Sequence, residues 1–190
     1  MFIMNPVSLL TKQEVIEKQQ DMEFHYFWTT VSLFSQFHRS LFTVDGIEFT
    51  CMEQYMMYSK AMFFGDTDTA QKILAIPYPV GGEREIPKQY KSLGRAVSPF
   101  DKDQWDKESI NVVWRGNFHK FSQNADMKQQ LMQPSTKRLV FVEASPYDTI
   151  WGIGHKKSDR QANHPEQWRG KNRLGFILTT LREHFQQTSE

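Results

Sequence analysis

The chain has 190 residues, 39% of them hydrophobic and 24% charged, enough for a sizeable core in one domain that needs neither disulfide nor metal staple. Its 23 Lys and Arg stand against 22 Asp and Glu, a formal charge of +1, so global charge selects no polyanionic partner and excludes none. The single cysteine, Cys51, excludes an internal disulfide and a cysteine-rich zinc site and fits a reducing cytoplasm.

The first residues lack the basic and apolar regions of a secretory signal, and no apolar run is long enough to span a bilayer, so no membrane partner is expected. Residues 1–23 are expected to form a helical extension ahead of a main domain over 24–190. Thr11 and Glu14 make a T-x-x-E capping box, Leu10 and Val15 stand where a hydrophobic staple would, and the helix that follows, through Glu23, is polar. Phe24 to Phe37, rich in aromatic and β-branched residues, reads as strand or strand-like core, with Phe34 and Phe37 anchoring a turn. A hairpin comes next. Asp45-Gly46 carries the type I′ signal, which sets Val44 opposite Ile47 and Phe42 opposite Phe49.

Thr50 is expected to cap a helix over about Cys51 to Phe64, with Glu53 completing a second capping box. Met52, Tyr55, Met56, Ser59 and Phe63 follow the core period, whereas Glu53, Met57, Lys60 and Phe64 make a second stripe. Glu53 and Lys60 stand about 10 Å apart along the axis, too far for a simple ion pair yet both able to reach one ligand. Each also has a plainer reading, Glu53 as the capping-box acid and Lys60 as part of a solvated face. Cys51 reads as a small buried hydrophobe, since no basic sequence neighbour would activate its thiol.

A short helix is expected over 66–75. Pro77, Pro79, Gly81 and Gly82 then open a loop that carries Glu83, Arg84, Glu85 and Pro87 and is either a lid or an insertion. Lys88 to Val97 places Lys91 and Arg95 one helical turn apart with Gly94 between them, which suits a phosphate or an exposed basic face. Asp103 to Phe121 is amphipathic, with Ile110, Val113, Trp114, Phe118 and Phe121 on its buried side and Arg115, His119 and Lys120 on the others. His119 lacks a partner at metal-ligand spacing, so no metal site is expected. Asp126 to Gln133 forms a short helix stopped by Pro134.

Leu139 to Gly154, LVFVEASPYDTIWGIG, joins a strand to a polar turn. Leu139 to Val142 are β-formers in the pattern of a strand covered on both faces, and Pro146 marks its end. Glu143, Ser145 and Asp148 gather around that proline. Trp151 follows, and Gly152 and Gly154 would let backbone approach a ligand closely. A capped turn with Trp151 in the core is the plainer alternative. His155 to Arg173 carries six basic and two acidic side chains, a local +4 that attracts phosphate. Asn172 is expected to cap a last helix with Leu174, Ile177, Leu178, Leu181 and Phe185 on one stripe, placing Lys171 and Asn172 at the positive end of its dipole.

Five pieces, in order, resemble the NADAR family (named for NAD and ADP-ribose), which includes the YbiA-like N-glycosidases. They are CMEQYMMYSKA at Cys51 to Ala61, L-G-R at Leu93 to Arg95, K-F at Lys120 and Phe121, V-E-A-S-P-x-D-x-I-W-G-I-G at Val142 to Gly154, and W-R-G-K-N-R-L-G at Trp168 to Gly175. The resemblance covers about Phe34 to Phe185; the segment before Phe24 and the loops 77–89 and 155–167 depart from it. It implies a mainly helical α+β domain with a small sheet and a β-hairpin. The activity it implies is cleavage of the ribose C1′–N bond in phosphorylated ribosylamine nucleotides such as riboflavin-biosynthesis intermediates. An ADP-ribosyl-guanine hydrolase acting on modified nucleic acid, and a non-catalytic module binding ADP-ribose or NAD, are the alternatives. By motif, Glu53, Lys60, Asp148, Trp151 and Asn172 would form the pocket. Glu53 would hold a carboxylate at C1′ or its water, Asp148 ribose hydroxyls or a proton, and Trp151, with Gly152 beside it, the base. Lys91, Arg95, Lys171 and Asn172 are the phosphate candidates, and Lys60 is either an electrostatic partner or a nucleophile at C1′. No metal or redox cofactor is implied; the expected partner is a small phosphorylated nucleotide or ADP-ribose.

Overall fold

The computed structural model describes residues 9–79, 81–82 and 84–188. The first eight residues of the expected N-terminal extension, and Glu83 of the expected loop, lie outside these. Among the described residues are seven α-helices and two two-stranded sheets. They divide into two compact units, one built from the chain up to Trp28 and from Leu131 onward, the other from Thr29–Gln130.

In the first unit, helix α1 (Lys12–Lys18) starts on the expected capping box, the Glu14 amide donating to Thr11 Oγ1 at 3.2 Å and the Thr11 amide to the Glu14 carboxylate at 2.9 Å. The helix is shorter than its polar sequence predicts. A 3-10 turn at Gln19–Asp21 leads straight into strand β1 (Met22–Phe27), which pairs in parallel with β4 (Arg138–Glu143), Glu23 opposite Leu139 and Phe27 opposite Glu143. The ladder to a distant strand thus overrides local helical character. Leu10 and Val15 are buried with Met22, Val140, Val142, Ile153, Trp168 and Phe176 in one cluster. Strand β4 is covered on both faces, as its unbroken apolar run predicts: Leu139 to Val142 are at most 5% exposed. Helix α7 (Arg173–Thr188) buries all five stripe residues, and its Thr179 hydroxyl accepts from the Phe141 amide at 3.0 Å.

In the second unit, the strand character expected beyond Phe27 is absent. Thr29 takes a φ of +70°, and the chain turns repeatedly through hydrogen bonds from Ser32 to Thr29, Ser35 to Ser32 and His38 to Ser35. The hairpin of β2 (Phe42–Val44) and β3 (Ile47–Phe49) has the predicted register, Asp45 and Gly46 both at positive φ.

Helix α2 (Met52–Phe63) is the centre of this unit, and most of both expected stripes is buried, Glu53, Met57 and Lys60 as well as Met52, Tyr55 and Met56, while Ser59 and Phe64 are half-buried and Phe63 is exposed. Its start differs from expectation. Cys51 is the N-cap, without a side-chain cap, and the Thr50 amide and hydroxyl both donate to Gln54 Oε1 at 2.8 Å, so Gln54 takes the place foreseen for Glu53. Helix α3 (Thr67–Ala75) is capped by Asp66, and α5 (Lys102–Gln123) by Asp101. Two glycines set the packing on α2: a Cβ on Gly94 of α4 (Ile86–Ala96) would fall 1.9 Å from Met57 Sδ, and one on Gly116 of α5 2.4 Å from Tyr55. Gly94 therefore serves helix packing rather than space between two cations. On α5, Val112, Val113, Trp114, Lys120 and Phe121 are buried, Ile110 and Phe118 only half so. Helix α6 (Ala125–Leu131) ends before Gln133.

Candidate active site

The sequence-predicted residues fall into two groups, one in each unit. In the second unit, α2 carries Glu53 and Lys60, both under a tenth exposed. The Glu53 amide donates to the Gln36 carbonyl at 2.9 Å, which fixes the first turn of the helix on the Thr29–Ser40 segment. Glu53 also stands at the positive end of the α2 dipole, where a negative charge is favoured. The Lys60 ammonium donates to the Gly94 carbonyl at 2.6 Å and lies 4.0 Å over the Phe100 ring. Burial lowers its pKa below the ordinary lysine value. Helix α4 thus holds Lys60 through Gly94 and carries Lys91, half-buried, and Arg95, exposed.

In the first unit, the turn after β4 brings together Asp148, Trp151, Gly152, Lys171 and Asn172. Asp148 Oδ1 accepts from the Ile150 amide at 2.9 Å and the Trp151 amide at 2.7 Å, so the carboxylate caps the turn that presents the half-buried indole. Gly152 is small for packing: a Cβ there would lie 2.8 Å from the Glu143 carbonyl. The strip 149–153 is bonded to 170–174 by the Lys171 amide to Thr149, Asn172 to Gly152 and Gly170 to Ile153. Asn172 is wholly buried at a φ of +51°. Its Nδ2 donates to the Phe141 carbonyl at 3.0 Å and its Oδ1 accepts from the Glu143 amide at 3.0 Å, so the side chain sits as a staple on β4, while Lys171 beside it is exposed. Trp28 and Tyr147 form an exposed aromatic pair at 6.1 Å.

The basic stretch after Gly154 is built on its own contacts. The Lys156 amide donates to Asp159 at 2.9 Å, Trp168 Nε1 to the Ala162 carbonyl at 2.8 Å, and Arg169 to the Gly154 carbonyl; Lys157 lies 5.9 Å over Tyr26.

The burial of two polar residues escapes the sequence reading. Lys120 is completely buried, its ammonium donating to the Leu33 carbonyl at 2.6 Å and the Ser35 carbonyl at 3.2 Å. Its signal is positional, a lysine one heptad after the core residue Val113. Gln36 is the other, a polar residue set between Phe34 and Phe37. Burial pushes the Lys120 ammonium down to about 7 and the Cys51 thiol up to about 12, from ordinary values of 10.5 and 9.0. Between pH 7 and 9 the unfolded chain therefore holds a lysine proton that the folded protein has released, and stability rises with pH; above 9 the retained thiol proton works the other way. A urea midpoint that climbs from pH 7 to 9, and climbs less in Lys120→Met, is the expected result. An equal climb in the variant would remove Lys120 as its source.

In one unit a carboxylate at a helix N-terminus shares its helix with a lysine of lowered pKa, group types that acid–base and covalent hydrolysis use, and in the other unit a carboxylate caps a turn that carries a tryptophan. The NADAR domain model matches residues 25–186, through both units, and the chain belongs to the NADAR family. It is 41% identical over 165 residues to N-glycosidase R617 of Acanthamoeba polyphaga mimivirus, covering 83% of this chain and 89% of that protein. It is 36% identical over 185 residues to Protein irg-1 of Caenorhabditis elegans, covering 88% and 82%. To N-glycosidase YbiA of Escherichia coli K12 it is 27% identical over 174 residues, covering 90% and 93%. The NMR structure of the E. coli protein YbiA superposes with a TM-score of 0.68 at 24% identity, over 97% of this chain and 95% of that one. The mainly helical α+β fold expected from the sequence is the fold of this family.

Proposed function

We propose that this chain is an N-glycosidase, a hydrolase of N-glycosyl compounds, and that it cleaves the ribose C1′–N bond of a phosphorylated ribosylamine nucleotide. The observation that carries this reading is the burial of Glu53 and Lys60 on one helix, Lys60 with its pKa lowered. The names of two relatives, N-glycosidase R617 and N-glycosidase YbiA, support it.

As the C1′–N bond lengthens, positive charge builds on the sugar and the leaving nitrogen needs a proton. Glu53 supplies the carboxylate that stabilises that charge or takes the proton of the attacking water, whose oxygen ends on C1′. Asp148 holds ribose hydroxyls or passes the proton to nitrogen, and Trp151 stacks on the base. Lys91, Arg95 and the exposed Lys171 are the phosphate ligands. Asn172 contributes through the backbone it fixes at Phe141 and Glu143 and at Gly152.

The burial of Lys60 supports a covalent variant as well. A neutral amine attacks C1′ of the opened ribose, the base leaves with a proton, and water later releases the sugar from the Schiff base. Turnover of 5-amino-6-ribosylaminouracil 5′-phosphate, with release of free base, is the expected result; preference for ADP-ribosylated guanine in DNA would move the assignment to that substrate, which the local charge of the 155–173 stretch favours. Tight ADP-ribose binding without turnover of either would replace the enzyme reading by that of a binding module. Borohydride added during turnover is expected to leave a reduced ribosyl adduct on Lys60. Its absence by mass spectrometry ends the covalent route.

A further inference from the structure

We propose that Gln36 reads the base of the substrate, its side-chain amide pairing with a lactam edge, the adjacent N–H and C=O of a heterocycle such as a uracil. The proposal rests on the reading of Glu53 as the carboxylate at C1′, because the base is the group bonded to that carbon.

The backbone around Gln36 is held from three directions within its own unit. Its carbonyl accepts from the Glu53 amide at 2.9 Å, Lys120 holds the Leu33 and Ser35 carbonyls, and the Tyr78 hydroxyl donates to the Phe37 carbonyl at 3.2 Å. The side chain is treated differently. Gln36 is only 9% exposed, yet neither Nε2 nor Oε1 has a hydrogen-bond partner among the described residues. A buried amide with both ends unmatched is costly, and interiors rarely keep one. Here it is kept on a segment whose backbone is bonded on both sides of it, one hydrogen bond from Glu53.

An amide sets a donor group and an acceptor group side by side in a single plane. A lactam edge answers both at once, in the way glutamine pairs bidentately with an adenine edge. The sugar's hydroxyls are the competing partners, but each hydroxyl can donate or accept and so would serve a carboxylate as well as an amide. That difference makes the proposal testable.

Gln36→Met and Gln36→Glu are compared with wild type for urea midpoint without ligand and for kcat and KM on 5-amino-6-ribosylaminouracil 5′-phosphate. Gln36→Met keeps the side-chain length and removes both unmatched groups, so its midpoint is expected to equal or exceed that of wild type, while kcat/KM falls roughly 10- to 100-fold, mostly through KM. Gln36→Glu is expected to lose a similar factor, because a carboxylate opposes the lactam carbonyl. A lowered midpoint in Gln36→Met would make the amide structural and overturn the proposal. Wild-type kcat/KM in Gln36→Glu, with loss in Gln36→Met, would assign it to sugar hydroxyls and overturn the base reading. If wild type cleaves neither substrate, the N-glycosidase reading fails separately, and binding of uridine 5′-monophosphate decides: a thermal shift lost in Gln36→Met supports the pairing, and no shift in wild type overturns it.

Discussion

Replacing Glu53 by glutamine is expected to lower kcat on the ribosylamine phosphate by roughly 10²- to 10⁴-fold with little change in KM, the range a positioned acid–base group contributes. The substitution is nearly isosteric at a site only 5% exposed, so the packing of α2 is kept. What is lost is the negative charge. An amide neither stabilises a cationic sugar nor accepts the proton of an attacking water, whereas it still fills the space and still donates and accepts ordinary hydrogen bonds. The backbone amide of residue 53 also keeps its bond to the Gln36 carbonyl, which leaves the Thr29–Ser40 segment in place. Steady-state kinetics and a urea midpoint measured on the same preparation separate the two effects. A kcat within threefold of wild type, on a substrate that wild type turns over, would remove Glu53 from the chemistry.

Asn172→Ala is expected to cost about 3–5 kcal/mol of stability, a large share of the roughly 5–15 kcal/mol that an ordinary domain has. The wild-type side chain donates to the Phe141 carbonyl and accepts from the Glu143 amide, both at 3.0 Å, so its loss orphans a donor and an acceptor on the buried strand. Each orphaned group costs about 1–3 kcal/mol. The φ of +51° adds strain for alanine, since asparagine is among the few residues that take this conformation readily. Asn172→Gly relieves the backbone but not the hydrogen bonds, and its recovery relative to alanine measures the conformational share. Urea titration of the three proteins gives both numbers. A loss under 1 kcal/mol for alanine would show that the staple is dispensable.

Both residues look alike in the sequence, polar side chains expected at helix N-termini, and the structure gives them opposite surroundings. Asn172 faces a strand that lies about thirty positions earlier in the chain, and nothing local specifies that partner. Gln54, one residue on from Glu53, takes the capping-box place by accepting from the Thr50 amide and hydroxyl at a spacing of four residues, which a motif of residue types at a spacing of three does not show. The hairpin register was legible because an Asp-Gly turn fixes both strands at short range, and the last helix because five apolar residues repeat on one face. The burial of Lys120 was not. Its acceptors are main-chain carbonyls of Leu33 and Ser35, which carry no side-chain identity for a pattern to recognise. The start of β1 at Met22 was hidden for a related reason, since its ladder is to residues far downstream.

That ladder sets an order for biosynthesis. Strand β1 ends at Phe27 and its partner begins at Arg138, with the whole Thr29–Gln130 unit encoded between them. At roughly 5–20 residues per second, β1 emerges from the ribosome on the order of ten seconds before β4 exists. The inserted unit has its own helices and hairpin within reach and can organise during that interval, while Met22, Phe24 and Phe27 wait with unsatisfied edges for the strand that will cover them. A nascent chain halted before residue 138 would therefore present a sticky amino-terminal ribbon to chaperones, and one halted after α7 would not.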